Sequence, residues 1–259
     1  SDLLELTKPR ITGLVTFVAG AAALAAGTPP DVGTMAALLA GTWLLAGGTN
    51  ALNQVLEHDR DARMERTRGR PLPDARVGAG AATTLGLLLV AAGTAALLAG
   101  VNLLTAGLGL ASAVLYAGVY TPMKTRSTLS LPVGAVPGAL PALGGWTAAT
   151  GSVGAGGLAL FGVLFFWQLP HFLALGHLHR RDYRRAGFSV LAAEDPADGW
   201  AGSVAVLAVL GLIPVSLLPT LLGHAGWAYA AAATAAGLGY LLLSGRFALG
   251  GAWAAPDGP

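Results

Sequence analysis

The residues with the clearest chemical potential lie between Asn50 and Pro73, a charged stretch in an otherwise largely apolar chain. Asn53, Glu57 and Asp61 follow one another at i, i+4 and i+8, so on an α-helix they fall within roughly 80° of arc. Two carboxylates and an amide oxygen on one face suit a hard cation such as Mg²⁺, which binds one or two carboxylates and adds water and phosphate oxygens. Asp59 lies about 200° from Glu57 and is excluded from this face.

Several arginines follow the acidic face directly, among them Arg63, Arg66 and Arg70. A guanidinium group matches the geometry of a phosphate, so these side chains suit the charge of a phosphate-bearing ligand. The spacing also fits a simpler alternative, in which the charged stretch is a loop that anchors the end of a helix at the membrane surface.

A second candidate group includes His171, which follows Gln168 and Pro170 inside an apolar segment. If the helix continues, His171, His179 and Asp182 share one face, at roughly 0°, 80° and 20°. An ionisable side chain inside a membrane span is a candidate for function, although a structural histidine beside interfacial charges fits equally well. A histidine-rich zinc site is less favoured, because His177 and His179 are two residues apart.

The composition identifies the class of protein. The chain has 259 residues, of which 54% are hydrophobic and only 11% charged, and its mean hydropathy is +0.64. Soluble domains carry about 25% charged residues, so we expect an integral membrane protein whose spans are helices. The absence of cysteine excludes disulfides, thiolate nucleophiles and cysteine-ligated metals. The net charge of +2 gives no indication of nucleic-acid binding.

The apolar segments predict an all-α, polytopic transmembrane helical bundle that forms one domain over residues 1–259. Polar loops are predicted at 57–78, 121–130 and 177–199, and Pro132, Pro137 and Pro141 are expected to interrupt the fifth span. We count eight spans, at residues 11–27, 33–56, 79–100, 102–121, 131–150, 155–178, 200–221 and 225–244.

The distribution of basic residues predicts the orientation of the chain. With the eight spans in place, all 15 lysines and arginines fall on the same side of the membrane. The positive-inside rule then places the N-terminus and all three polar loops in the cytoplasm. We expect a multi-pass protein of a prokaryotic cell membrane.

Taken together, the motifs resemble those of the UbiA superfamily of intramembrane prenyltransferases, over most of the chain from Leu4 to about residue 195. The Asn53, Glu57 and Asp61 element is followed by a string similar to M-x-R-T-x-x-R-P-L, which begins at Met64. YTPMKTRS and PGALPALGGWTAATG resemble later family elements, and WQLPHFLAL and DYRRAG resemble those of the branch that farnesylates heme.

This resemblance implies nine spans and an Mg²⁺-dependent transfer of the farnesyl group from farnesyl diphosphate to a vinyl group of heme b. The expected product is heme O, which a heme A synthase would use, and the lipid bilayer surrounds the enzyme. Asn53, Glu57 and Asp61 would bind the metal and the diphosphate. His171, Asp182 and Tyr183 would line the second half of the site. The basic candidates for diphosphate or propionate contacts are Arg63, Arg66, Arg70, Lys124 and Arg126.

Three alternatives stay open at this point. A related prenyltransferase could act on a quinone precursor or another porphyrin, although His171 stands where such relatives carry an Asp-rich run. A membrane carrier or channel would use intramembrane polar groups to line a path. A purely structural membrane subunit is the third possibility. Mg²⁺-dependent binding of a farnesyl diphosphate analogue would count against the last two.

Overall fold

A computed structural model of the chain describes residues 1–195 and 199–249. Within these residues the chain is helical and contains no β-strand. The fourth long helix, which begins at Leu103, changes from α-helical to π-helical geometry at Leu115–Tyr120 and then continues as a short helix. The α-helices are α1 (Asp2–Leu6), α2 (Pro9–Ala25), α3 (Val32–Asp61), α4 (Ala79–Gly100), α5 (Leu103–Val114), α6 (Thr121–Met123), α7 (Ser130–Thr150), α8 (Ala155–Leu178), α9 (Arg180–Ala186), α10 (Leu191–Glu194), α11 (Gly199–Leu221) and α12 (Trp227–Ala248).

The long helices correspond to the eight predicted spans, and the prediction of an all-helical, multi-pass membrane protein is confirmed. In the described part of the chain, six helical stretches are long and apolar enough to cross a membrane; one of them is the continuous stretch Leu103–Met123. The other two predicted spans are α2, which has only 17 residues, and α7. Helix α7 can be less apolar than the other spans, because it is surrounded by neighbouring helices and not by lipid.

Helix α7 forms the centre of the bundle, packed against α2, α5 and α8. Most of its residues from Gly134 to Ala148 are buried, many of them glycine or alanine. The predicted interruption at its prolines is wrong, since Ser130–Thr150 is one continuous helix. Pro141 has no N–H to donate to the carbonyl of Pro137 one turn earlier. The hydroxyl of Ser112 in α5 donates to that carbonyl at 2.9 Å, which satisfies it.

Close packing against α4 fixes the position of α3. A Cβ atom added at Gly48 would lie 2.6 Å from the carbonyl oxygen of Gly86, and one added at Gly93 would lie 2.6 Å from the backbone nitrogen of Leu45. The two helices can approach this closely only because these positions lack side chains. With one side held against α4, α3 is positioned to present its polar residues to the rest of the bundle.

The polar segments meet at one end of the bundle, called the polar end below; it comprises residues 1–8, 62–78, 124–129 and 179–195. Arg76 pairs with Asp2 and Asp74 and thereby holds α1 against the loop after α3. Arg185 pairs with Glu65 at 3.1 Å, and the backbone N–H of Ser189 donates to the carbonyl of Lys124 at 2.7 Å. Segments distant in sequence therefore form one polar surface.

Two predicted loop boundaries need correction. Helix α3 continues to Asp61, so the first polar loop begins after that residue and not at residue 57. The third loop, predicted over 177–199, contains the end of α8 and the short helices α9 and α10. Its residues 196–198 lie outside the described part of the chain.

The glycine contacts give a testable prediction. We expect Gly48→Ala to lower the free energy of unfolding by about 1–3 kcal/mol, because the new methyl group must push α3 and α4 apart. Thermal unfolding in detergent measures this change. Gly107→Ala is the matched control, since no described atom lies within 4 Å of a Cβ added there, and alanine is favoured over glycine within a helix. Equal effects of the two substitutions would contradict the packing account.

Candidate active site

The three predicted oxygen ligands lie on the last turns of α3, and the prediction that they share a face is confirmed by their common burial. Asn53 and Asp61 are each 1% exposed and Glu57 is 6% exposed, although these residues are polar or charged. Burying an isolated carboxylate is costly, so groups of opposite charge must compensate for it.

Three cations from three different segments provide this compensation. The Nζ atom of Lys124 lies 2.6 Å from Oε1 of Glu57, and Nη1 of Arg70 lies 2.6 Å from Oδ2 of Asp61. The Nζ atom of Lys8 donates to Oδ1 of Asn53 at 2.8 Å. Each predicted metal ligand thus has one oxygen atom bound to a cationic side chain. These six residues form what is called the polar group below.

The loop after α3 folds back so that Arg70 reaches Asp61. Thr67, which is buried, donates its hydroxyl to the backbone carbonyl of Asp61 at 2.8 Å and holds the end of the helix. Met64 packs with Ala186 and Phe188 near α9. Leu72 packs with Leu6, Ala51 and Ala82. The apolar residues of this motif anchor the loop on both sides, and the arginine between them is directed to the carboxylate.

Lys8 is a member of the polar group that the sequence analysis missed, having counted it only as a basic residue before the first span. It lies between α1 and α2 with φ 48°, a left-handed conformation that costs a residue with a side chain about 1–3 kcal/mol. Burial, together with the neighbouring Arg70 guanidinium, lowers the pKa of Lys8 from 10.5 to about 7. The surrounding structure thus holds this lysine in a costly conformation and environment.

The other basic candidates are placed differently. Arg70 and Lys124 join the polar group, whereas Arg63, Arg66 and Arg126 are exposed at the polar end. Their proposed contacts with a substrate stay a prediction.

Asp182 and Tyr183 lie at the polar end on α9. The backbone N–H of Glu65 points to Oδ1 of Asp182 over a long 3.4 Å. The ring of Tyr183 packs edge-on against Phe188 at 5.9 Å, and Tyr183 lines a cavity together with Lys124. Tyr183 is therefore close to the polar group, while Asp182 contacts the loop after α3.

His171 does not share a helical face with Asp182, and the prediction of one continuous helix is wrong. Helix α8 ends at Leu178, and His179 has φ −108° and ψ 24° before α9 begins. The ring of His171 instead stacks on Trp167, with centroids 5.2 Å apart and planes 14° apart. It lines a cavity between α8, α11 and α12. Its predicted role in the reaction stays a prediction.

An apolar cavity of about 800 Å³ extends through the bundle from the level of the polar group. Asn50, one turn before Asn53, lines it, and so do Leu45 and Leu38 farther along α3. Leu38 precedes Asn53 by 15 residues, which corresponds to roughly 22 Å along the helix. The length and the apolar lining of this cavity suit a long apolar chain.

Two tyrosines lie where this cavity meets the polar group. The π-helical stretch Leu115–Tyr120 carries Tyr116 and Tyr120, whose ring centroids are 5.2 Å apart. Tyr116 lines the apolar cavity, and Nζ of Lys124 lies 4.8 Å from the centre of the Tyr120 ring. Thr121 accepts a hydrogen bond from Asn53 at 3.1 Å and thereby links this stretch to α3. Such π-helical segments are frequent at functional sites.

Comparisons with known proteins identify the family. A family model described as "UbiA prenyltransferase family" matches residues 13–251. A protein named protoheme IX farnesyltransferase from Anaeromyxobacter sp. (strain Fw109-5) is 48% identical over 261 aligned residues, covering 98% of this chain and 86% of the relative. The chain belongs to the UbiA prenyltransferase family. A protoheme IX farnesyltransferase from Myxococcus xanthus (strain DK1622) is 43% identical and covers 98% of this chain and 87% of the relative.

Solved structures share the fold of this UbiA prenyltransferase. A UbiA homologue from Archaeoglobus fulgidus, bound to GPP and Mg²⁺, has a TM-score of 0.73 at 16% identity, covering 94% of this chain and 87% of that one. A digeranylgeranylglyceryl phosphate synthase has a TM-score of 0.77 at 14% identity, with coverage of 96% and 90%. At these identities the likeness establishes the fold.

The donor atoms of the polar group fit Mg²⁺. The described residues contain no group of three or more His, Cys, Asp or Glu side chains suited to hold a metal. The candidate ligand atoms are the side-chain oxygens of Asn53, Glu57 and Asp61. Glu57 and Asp61 are carboxylates, and each has a second oxygen that is not part of its ion pair. Mg²⁺ needs few protein ligands when phosphate oxygens and water complete its shell. The set is therefore suited to a metal that arrives with a diphosphate.

The ion pair at the end of α3 leads to a prediction about stability. We expect Arg70→Ala to lower the free energy of unfolding by about 1–3 kcal/mol, because it leaves the Asp61 carboxylate buried without its cation. Thermal unfolding without substrate measures the effect. Arg68→Ala, at an exposed position of the same loop, should change stability much less. A loss at Arg70 no greater than that at Arg68 would show that the pair does not stabilise the loop.

Proposed function

We propose that this chain transfers the farnesyl group of farnesyl diphosphate to a vinyl group of protoheme IX (heme b), giving heme O and diphosphate. The observation that carries the proposal is the position of the polar group at one end of a long apolar cavity. This arrangement suits a molecule with an anionic diphosphate head and an apolar tail. The names of relatives that are 43% and 48% identical to this chain support farnesyl as the donor group and protoheme IX as the acceptor.

The polar group is suited to loss of the diphosphate. Breaking the allylic C–O bond leaves a carbocation and a diphosphate whose negative charge has increased. The cationic groups of Lys8, Arg70 and Lys124 contact side chains of α3 when no ligand is bound. When the donor binds, they can contact diphosphate oxygens in place of these side chains. Because their charge interacts most strongly with the departing anion, they stabilise the transition state more than the bound substrate.

Asn53, Glu57 and Asp61 are the residues that would hold Mg²⁺ beside the diphosphate. The ion pairs already described engage Oε1 of Glu57 and Oδ2 of Asp61. The second oxygen of each carboxylate accepts no hydrogen bond from any described residue. When bound, Mg²⁺ supplies Lewis-acid stabilisation of the leaving diphosphate.

The apolar cavity protects the carbocation until it reacts. Its wall excludes water along the prenyl chain, which prevents early capture of the cation by hydrolysis. Tyr116 lines the cavity beside the polar group, and its π-electrons can stabilise positive charge. The terminal vinyl carbon of heme b then forms a C–C bond with the farnesyl group. Water adds to the other vinyl carbon and loses a proton, which gives the hydroxyethylfarnesyl side chain.

The distribution of charge supports a location in the membrane of a prokaryotic cell, with the polar end facing the cytoplasm. All 15 lysines and arginines lie at the ends of spans that share this side. In this orientation the diphosphate site opens toward the compartment from which the charged donor arrives. The heme O formed within the membrane would pass to a heme A synthase.

A related prenyltransferase that acts on a quinone precursor or another porphyrin is the nearest alternative. It would use the same donor site, so the polar group and the apolar cavity do not separate the two. The presence of His171 in the second half of the chain favours a metalloporphyrin acceptor. A carrier is less favoured, because the buried charges are concentrated at one end of the bundle and the basic residues are absent from the other.

A transfer assay tests the proposal. Purified protein with heme b, farnesyl diphosphate and Mg²⁺ should form heme O detectable by mass, and chelation of Mg²⁺ should stop the reaction reversibly. We expect Asp61→Asn to reduce the rate by about 100-fold, because it removes a carboxylate from the metal site. Asp59→Asn is the control, since the Asp59 side chain is 81% exposed.

The possible outcomes of this assay separate the alternatives. Release of diphosphate without formation of heme O would support prenyltransferase activity but would show that heme b is not the acceptor. If folded wild-type protein formed neither product in the presence of Mg²⁺, the proposed function would be wrong.

Lys8 provides an independent test of the donor site. We expect Lys8→Gln to lower kcat by about tenfold or more, because the departing diphosphate loses a charged donor, while an amide can still reach Asn53. Single-turnover release of diphosphate measures the step directly. Arg10→Gln is the control at an exposed position two residues away. If Lys8→Gln changed only the stability of the protein, a purely structural role would be indicated.

A further inference from the structure

A second cavity lies between α8, α11 and α12. Its volume is about 980 Å³, a value that includes open space at its mouth. Its wall carries the aromatic side chains of Trp167, Tyr229 and Tyr240, the imidazole of His171, and Ser216 among aliphatic residues. A cavity with flat aromatic walls and few polar groups suits a large planar apolar ligand.

His171 is the imidazole side chain on the wall of this cavity. Its ring is held between Trp167, at 5.2 Å, and Phe172, at 5.8 Å, yet the residue is exposed. In the described part of the chain neither imidazole nitrogen has a hydrogen-bond partner. The residue lies in a membrane-spanning helix, where an ionisable side chain without a structural role is a candidate for ligand binding.

The cavity lies beside the site of the prenyl donor. Trp167 also borders a smaller cavity of about 390 Å³, which is lined by Val15, Gly138 and Pro141. The same three residues line the apolar cavity that extends from the polar group. The hydroxyl of Tyr240 donates to the carbonyl of Trp167 at 3.2 Å, which links α12 to this part of α8. Trp167 therefore forms the partition between the second cavity and the donor side.

We propose that the cavity between α8, α11 and α12 binds protoheme IX and that His171 is an axial ligand of its iron. This inference rests on the proposed function, which names the acceptor. A neutral imidazole is a common ligand of heme iron, and the aromatic side chains pack against the porphyrin ring. His171 stacks on Trp167, which borders the donor side, so a heme bound at His171 would lie close to the donor cavity. The iron anchors the acceptor and takes no part in the transfer itself.

Spectroscopic titration with ferric protoheme IX tests this assignment. Wild-type protein should give the Soret and visible bands of imidazole-ligated heme. His171→Phe keeps an aromatic ring against Trp167 and removes both nitrogens, so it should lose these bands and bind heme about tenfold more weakly or worse. His224→Ala is the control, since His224 is an exposed histidine on the loop between α11 and α12.

Metal-free protoporphyrin IX separates iron ligation from the shape of the cavity. Because it has no iron, its affinity for His171→Phe should equal that for the wild type, as measured by quenching of tryptophan fluorescence. An equal loss of affinity for both porphyrins would overturn the proposal, because His171 would then shape the cavity. Wild-type heme bands retained in His171→Phe would overturn it as well.

The transfer assay on the same preparations distinguishes this inference from the proposed function. If the wild type forms heme O while His171→Phe retains the heme bands and affinity, the heme site is wrong and the enzyme activity stands. If heme binds through His171 but the wild type forms neither heme O nor diphosphate, the heme site stands and the proposed function fails.

Discussion

The structure depends on the cations that compensate the negative charge of two carboxylates buried at the end of α3, a membrane-spanning helix. Glu57 and Asp61 are 6% and 1% exposed, and several kcal/mol per ion would be lost if they were left unpaired. Their partners come from the segment after the fourth span and from the loop after α3, and Lys8 joins the same face from the N-terminal segment. One electrostatic requirement therefore holds together three parts of the chain that are far apart in sequence.

The same requirement explains how the ligand-free protein is prepared for an anionic substrate. The cations that neutralise α3 are the groups that a diphosphate needs, so binding can exchange existing partners without assembling a new set of charges. Close packing against α4 fixes α3, and the loop that carries Arg70 is anchored through Met64 and Leu72. Beside this polar group the bundle is apolar, so one site combines strong charge stabilisation with exclusion of water along the prenyl chain.

Local sequence patterns predicted the features that depend on a single helix. The spacing of Asn53, Glu57 and Asp61 fixed their shared face, and the lengths of the apolar segments placed the spans. Contacts between different helices cannot be predicted from such local patterns. Lys8 reaches Asn53 across 45 positions of sequence, and Tyr116 joins the site through a π-helical turn. The helix break at His179, which separates His171 from Asp182, depends on the packing of α9 and left no clear signal in the sequence.

The central claim is that the polar group on α3 binds the metal and the diphosphate of the prenyl donor. The most direct test is a structure of the protein with Mn²⁺ and a non-hydrolysable farnesyl thiodiphosphate, in which anomalous scattering locates the metal. The account predicts Mn²⁺ against Asn53, Glu57 and Asp61, diphosphate oxygens against Lys8, Arg70 and Lys124, and the prenyl chain in the apolar cavity. A metal and diphosphate bound elsewhere, with the two ion pairs of α3 and the hydrogen bond from Lys8 to Asn53 intact, would contradict it.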